Sequence, residues 1–165
     1  MKAIVAVDKN WGIGKDNGLL FNIPEDMKFF RQTTLNKVVV MGSNTLRSFP
    51  NGNPLKNRTN IVLSSKIQRE DCIVVKDLEG LFSELKKYPQ EEIFVIGGAM
   101  LYKTLLPYCT EVLVTNVDAD GLAQVFFENL DSKEDWVCVN QGEEIQSNGY
   151  LIRFTTYKNL KTLSF

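Results

Sequence analysis

The sequence predicts an α/β fold: a central, mostly parallel, twisted sheet, closed at one edge by an antiparallel C-terminal hairpin and flanked by about four helices. Three observations carry this. Short apolar runs rich in Val and Ile recur along the chain without strict alternation, as in strands covered on both faces. Stretches with helical periodicity separate most of them, giving the crossovers that parallel strands need. After Asn116 the pattern changes, and two later apolar runs flank an Asn148-Gly149 turn of the kind that joins antiparallel strands.

The first strand spans 3–7 and stops at Asp8, too short for a signal-peptide core or a membrane span. A glycine-bearing turn follows, Trp11-Gly12-Ile13-Gly14, in which Trp11 reads as a cover for apolar surface. Pro24 presets the first turn of a helix over 25–34. Strands are expected at 38–41, 60–64, 72–75, 93–96 and 112–117, and helices at 44–49, 78–87 and 99–106. An acidic loop, Asp118-Ala119-Asp120-Gly121, precedes the closing runs at 136–139 and 150–157. No linker or repeat divides the chain, so residues 1–160 are expected to form one domain, with 161–165 a loose tail.

At 165 residues and 44% hydrophobic content, one such domain can bury a sizeable core without staples. Nineteen Lys and Arg against 20 Asp and Glu argue against a nucleic-acid footprint or polybasic membrane docking and point to small-molecule partners. Cys72, Cys109 and Cys138 are odd in number and widely spaced, and read as buried free thiols in a reducing, cytoplasmic setting. The chain has no histidine. This excludes Ser-His-Asp and Cys-His nucleophile systems and most zinc sites, and leaves acid–base work to a shifted carboxylate, amine, phenol, thiol or cofactor.

Asp26 is the candidate acid. With Met27, Phe30 and Thr33 it falls on one helix face, while Glu25, Lys28 and Gln32 point elsewhere. A carboxyl held against hydrocarbon has its pKa raised and can deliver a proton at neutral pH. A first-turn acid stabilised by the helix dipole is the plainer alternative.

Residues just beyond the carboxyl ends of the strands are the expected ligand sites of an open α/β sheet. Gly97-Gly98 leads into the helix beginning at Ala99, and Gly42-Ser43-Asn44-Thr45 repeats the strand, glycine and helix order. Both suit phosphate approach, and two such ends suit a dinucleotide. Ser64-Ser65-Lys66 adds hydroxyls and a cation. Singly, each is also compatible with an ordinary turn, and no G-x-G-x-x-G fingerprint follows the first strand.

Taken together, the residues resemble the dihydrofolate reductase family, bacterial type, from Ala3 almost to Tyr157. The matching stretches are Ala6-Val7-Asp8 through Gly12-Ile13-Gly14, Asn22-Ile23-Pro24-Glu25-Asp26 with Phe30, and Met41-Gly42 with Thr45. Further along come Arg58-Thr59-Asn60 through Leu63-Ser64-Ser65, Val95-Ile96-Gly97-Gly98 with Tyr102, and Thr115. The resemblance implies hydride transfer from NADPH to 7,8-dihydrofolate, antifolate inhibitors as further ligands, and a monomer.

It also assigns roles. Asp26 would bind the pterin amino group and ring nitrogen and promote protonation of the neighbouring nitrogen, supported by Thr115. Ile4, Val5, Met27, Phe30, Phe49, Leu55 and Ile96 would surround the pterin and benzoyl portions, and Arg58 would pair with the glutamate tail's α-carboxylate. Ala6, Ile13, Gly14 and Leu19 would lie at the nicotinamide end of the cofactor, with Gly97 and Gly98 joined by a cis peptide. Gly42, Ser43, Asn44 and Thr45, with Ile96, Ala99, Met100, Leu101 and Tyr102, would line the phosphates, and Leu63, Ser64, Ser65 and Lys66 the adenosine 2′-phosphate. The stretch 14–21 would close over the reacting rings.

Some positions depart from the family pattern. Leu20-Phe21 replaces the usual Pro-Trp, so Phe21 offers no indole N–H to the catalytic pocket. Ser43 and Met100 replace basic residues, leaving Lys66 as the expected cation for NADPH. Ala123-Gln124-Val125 lacks a carboxylate that usually bonds across loops, which leaves the latch on the closing loop undefined. Two other readings compete: a same-fold reductase of another pterin or a pyrimidine, as in riboflavin biosynthesis, and a non-catalytic folate- or nucleotide-binding module. Asp26 with Arg58 argues against the first, and Asp26 with both phosphate-facing helix starts against the second.

Overall fold

A computed structural model of the chain describes residues 1–16 and 18–165. Strand β1 (Lys2–Val7) is the centre of the sheet, followed by the short β2 (Gly12–Gly14) and helix α1 (Pro24–Thr34). Then come β3 (Val38–Gly42), α2 (Ser43–Ser48), β4 (Thr59–Leu63), β5 (Ile73–Val75), α3 (Leu78–Leu85), β6 (Ile93–Gly97) and α4 (Ala99–Leu105). The chain finishes with β7 (Glu111–Val117), β8 (Val125–Phe126), β9 (Trp136–Gln141), β10 (Ile145–Ser147) and β11 (Tyr150–Asn159).

The strand order is β10-β11-β7-β1-β6-β3-β4-β5, with β9 also paired to β11. The pairs from β7 across to β5 are parallel, and every pair made by β11 is antiparallel. This is the expected architecture. The Val and Ile runs are buried on both faces: Val38, Val39, Val40 and Met41 are each 4% exposed or less. On one face Ala3, Val5 and Val7 pack with Leu81 and Leu85 of α3 and Leu101 and Leu105 of α4. On the other, Val39, Met41 and Val62 pack with Leu46 of α2. The carboxyl ends of the parallel strands lie along one edge, bringing Gly42, Leu63 and Gly97 together with the end of β1.

Several expectations change. The Asn148-Gly149 turn joins β11 to β10, a strand the sequence reading left out, and β9 pairs farther along β11. Ile145–Ser147 holds only one large apolar side chain, too little to show as a strand. Positive φ at both Asn148 (50°) and Gly149 (83°) supplies the twist that a two-residue hairpin loop requires. Residues 12–14 and 125–126 form a separate two-stranded ribbon, β2 with β8, also missed because neither segment has strand periodicity. In the segment 161–165 the Leu163 N–H donates to the Pro107 carbonyl (2.9 Å), and the Phe165 ring stacks on Phe82 at 4.8 Å. The cysteines differ as well. Cys109 is buried and its thiol is pushed up to about 12, but Cys72 is half-buried and Cys138, on the sheet's last edge, is exposed. Trp11 is a core residue, 8% exposed between Phe127 and Tyr157.

Candidate active site

Helix α1 starts without a side-chain cap, its first turn carrying Glu25 and Asp26 just after Pro24. Glu25 faces solvent and Asp26 is half-buried. Across the sheet, Thr115 of β7 sits beside Ala6 of β1 and Phe154 of β11, 1% exposed. Its Oγ1 donates to Asp26 Oδ1 at 2.7 Å. Among the described residues no protein donor reaches Oδ2, so that oxygen is left for a ligand. Burial raises the Asp26 carboxyl above its ordinary value, and the Thr115 hydrogen bond offsets only part of that rise. The pair holds the carboxyl in place without a charged partner.

The expected helix face is therefore a ligand-facing one. Asp26, Phe30 and Thr33 are half-buried and Met27 is 57% exposed, while Thr34 is the residue of α1 sunk in the core. Ile96, Phe49 and Leu55 are half-buried against the Val39–Met41 face, and Ile4 is 6% exposed. Val5 turns the other way, its side chain in the large core, because successive residues of a strand face opposite sides. Asn60, which the sequence named only within the matching stretch from Arg58 and gave no role, is buried and clamps the loop before β4: its amide accepts from the Leu55 N–H (3.0 Å) and donates to the Leu55 and Arg58 carbonyls (2.9 and 3.1 Å). A buried asparagine at the second residue of a strand was the available signal.

Arg58 is oriented by three donations: Nε to Thr34 Oγ1 (3.2 Å), Nη1 to the Lys56 carbonyl (2.8 Å) and Nη2 to the Arg31 carbonyl (3.4 Å). Guanidinium has five N–H donors, so two remain for a carboxylate. Partial burial and the neighbouring Arg31 cation both lower its pKa, the pressure that an incoming anion relieves.

The two glycine junctions meet. Gly97 and Gly98 are joined by a cis peptide, and a Cβ on Gly97 would stand 3.0 Å from Thr45 Oγ1. With φ of 135° at Gly97, only glycine suits this close approach of α2 to the end of β6. Neither α2 nor α4 has a side-chain cap, so the first-turn N–H groups near Ser43, Asn44, Ala99 and Met100 are free to meet phosphates. Gly42 and Leu63 are register partners, so α2 and the turn after β4 leave the sheet from neighbouring strand ends. The Ser64 hydroxyl accepts from the Lys66 and Ile67 N–H groups (3.3 and 3.4 Å), shaping the turn that presents Ser65 and Lys66 to solvent. These features fit a pyrophosphate with a nearby phosphomonoester.

The other expected cofactor residues sit in varied surroundings. Leu101 and Tyr102 are core residues, and the Tyr102 hydroxyl donates to the Ile4 carbonyl at 2.7 Å, tying α4 to β1. Ile13 and Leu63 lean their side chains on the large core. Leu19 and Met100 are 82% and 85% exposed. Phe21 packs with Ile23, Val117 and Ile152, its ring 4.8 Å from that of Tyr150. Asn17, within the segment expected to close over the rings, lies outside the described residues. Two hydrogen bonds hold the ends of this stretch to other loops: Gln124 Oε1 accepts from the Asp16 N–H (3.0 Å), and Asn148 Nδ2 donates to the Asn22 carbonyl (2.6 Å).

Comparison with known proteins identifies the family. The family model described as "Dihydrofolate reductase" matches residues 1–159. The dihydrofolate reductase of Bacillus subtilis (strain 168) is 36% identical over 159 residues, covering 94% of this chain and 92% of that protein. That of Mycobacterium leprae (strain TN) is 38% identical over 155 residues, covering 88% and 89%. Among solved structures, dihydrofolate reductase from Enterococcus faecalis complexed with NADP(H) and RAB-propyl superposes with a TM-score of 0.83 at 32% identity, covering 96% of this chain and 95% of that one. The acid pair on α1 and β7, the glycine junctions and the whole-length match give one conclusion: this chain belongs to the dihydrofolate reductase family.

Proposed function

We infer that the chain catalyses NADPH-dependent reduction of 7,8-dihydrofolate to 5,6,7,8-tetrahydrofolate, with Asp26 as the group that assists proton delivery. The observation that carries the acid role is the half-buried Asp26 carboxyl, raised by burial and held at Oδ1 by Thr115 with Oδ2 free. Oδ2 meets the pterin amino group and ring nitrogen and favours protonation of the neighbouring nitrogen. Phe30, Phe49, Leu55 and Ile96 enclose the pterin and benzoyl rings, and Arg58 uses its two remaining N–H groups on the α-carboxylate of the tail. Gly42 to Thr45 and Gly97 to Met100 seat the pyrophosphate, and Lys66 with Ser64 and Ser65 seats the 2′-phosphate. NADPH supplies the hydride. The segment from Gly14 to Phe21 excludes water from the reacting atoms, which keeps the Asp26 proton in place. The product feeds one-carbon transfer, the working form is a monomer, and the cytoplasm, with its supply of reduced nicotinamide and free thiols, is its place.

The test is the fall in NADPH absorbance with dihydrofolate across pH, for the parent chain and for Asp26→Asn. The parent turns over, and the variant loses rate most on the alkaline side, where substrate protonation needs help. An Asp26→Asn profile that superimposes on the parent's removes the acid role.

A further inference from the structure

Strand alternation puts Asn60 on the face of β4 that carries Val62, opposite Ile61, and it is 6% exposed there. Its neighbours on that face, Val39, Met41 and Val62, are apolar, and an amide buried among hydrocarbon is costly unless it is hydrogen-bonded. The bonds are made to the preceding loop. Oδ1 accepts from the Leu55 N–H (3.0 Å), and Nδ2 donates to the Leu55 carbonyl (2.9 Å) and the Arg58 carbonyl (3.1 Å). Both amide hydrogens are spent on backbone, so Asn60 has no donor left for a ligand. It can act on binding only through Leu55 and Arg58.

Those two residues bracket a short turn outside any helix or strand, in which Asn57 has a positive φ of 61°. The Asn36 N–H bonds the middle of the turn, at the Asn57 carbonyl (2.7 Å). At one end the Leu55 side chain packs on the Val39 and Met41 cluster. At the other the Arg58 guanidinium is held by Thr34 Oγ1 and two carbonyls. The Asn60 amide is bonded to both ends, and therefore fixes how far the cation stands from the apolar wall.

We propose that Asn60 is a positioning residue for substrate selection: it sets the span between Leu55 and the Arg58 guanidinium, and so favours a pterin whose aromatic tail ends in a carboxylate over a pterin with no tail. The proposal rests on the reductase reading above. A buried amide that only supported the sheet would bond to β3 or β5, the two strands beside β4, whereas all three bonds go to the loop.

Asn60→Asp tests it with almost no change of shape. The carboxylate still accepts from the Leu55 N–H but turns an acceptor toward the Leu55 and Arg58 carbonyls. KM and Kd for dihydrofolate rise about tenfold, the scale of two lost net hydrogen bonds, while kcat at saturation and the Kd of NADPH stay at parent values. The Kd of a dihydropterin bearing a methyl group in place of the benzoyl-glutamate tail does not change. Asn60→Ser, which removes the amide without adding charge, gives the same selective loss. Equal weakening of the two pterins, or parental binding of dihydrofolate by either folded variant, overturns the proposal. Failure of both variants to fold overturns it too, because the amide is then a support for the sheet. A parent chain that binds dihydrofolate and NADPH but never oxidises NADPH refutes the reductase reading instead, and the two pterin dissociation constants still decide the role of Asn60.

Discussion

Replacing Thr115 by valine keeps the side-chain shape and removes the hydroxyl that donates to Asp26 Oδ1 at 2.7 Å. The buried carboxyl already sits above its ordinary value, so the folded chain holds more protons than the unfolded one just above the usual carboxylate range. Asp26's contribution to stability is therefore full below that range and declines as pH rises through the raised value. The Thr115 bond favours the charged form and limits the decline. A hydrogen bond to a charged group contributes about 1.5–3 kcal/mol, and solvent at the half-buried carboxyl brings this to the lower end. Thr115→Val should thus lift the Asp26 pKa further and move the alkaline limb of the kcat profile to higher pH. Urea unfolding should show the variant losing about 1.5 kcal/mol near neutral pH and clearly less under acid conditions, where the carboxyl is neutral in both chains. An unmoved profile with a pH-independent loss of stability would refute the electrostatic account of the pair.

Two further expectations concern single side chains. Arg58→Lys retains the charge but not the fork that reaches Thr34 Oγ1 and two carbonyls, so KM for dihydrofolate should rise about tenfold while kcat holds; equal loss in kcat and kcat/KM would place Arg58 in the chemistry instead. Phe21→Trp restores an indole N–H at the base of the closing segment and should raise turnover at saturating substrate, and an unchanged or lower rate counts against any role for that donor.

The parallel half of the fold was legible because its strands are continuous Val and Ile runs buried on both faces. Pro24 and the glycines at 42 and 97 punctuated the elements that carry the site. The Asp26–Thr115 bond spans 89 residues and has no spacing signature. Thr115 was reached only through family resemblance. The Gly121 N–H donates to Asp8 Oδ2 at 3.0 Å, and such a backbone donor, which every residue but proline offers, leaves no trace in the sequence. The absent carboxylate at 123–125 left the latch undefined, and Gln124 gave no signal of its own, because one side-chain oxygen of either residue type accepts the Asp16 N–H. The ribbon of β2 with β8 depends on partners that neither three-residue nor two-residue segment announces alone.

The uneven exposure of the three thiols makes selective chemical labelling available without mutagenesis. Cys138 stands on an edge strand, Cys72 is half-covered with its thiol pushed up by burial, and Cys109 is sealed beneath the end of α4. A maleimide dye at neutral pH should therefore react first at Cys138, whose strand β9 among the described residues pairs with β11 alone and carries none of the side chains expected to bind ligand. A fluorophore there would report tumbling and unfolding of the whole domain while leaving the pterin and nicotinamide seats untouched.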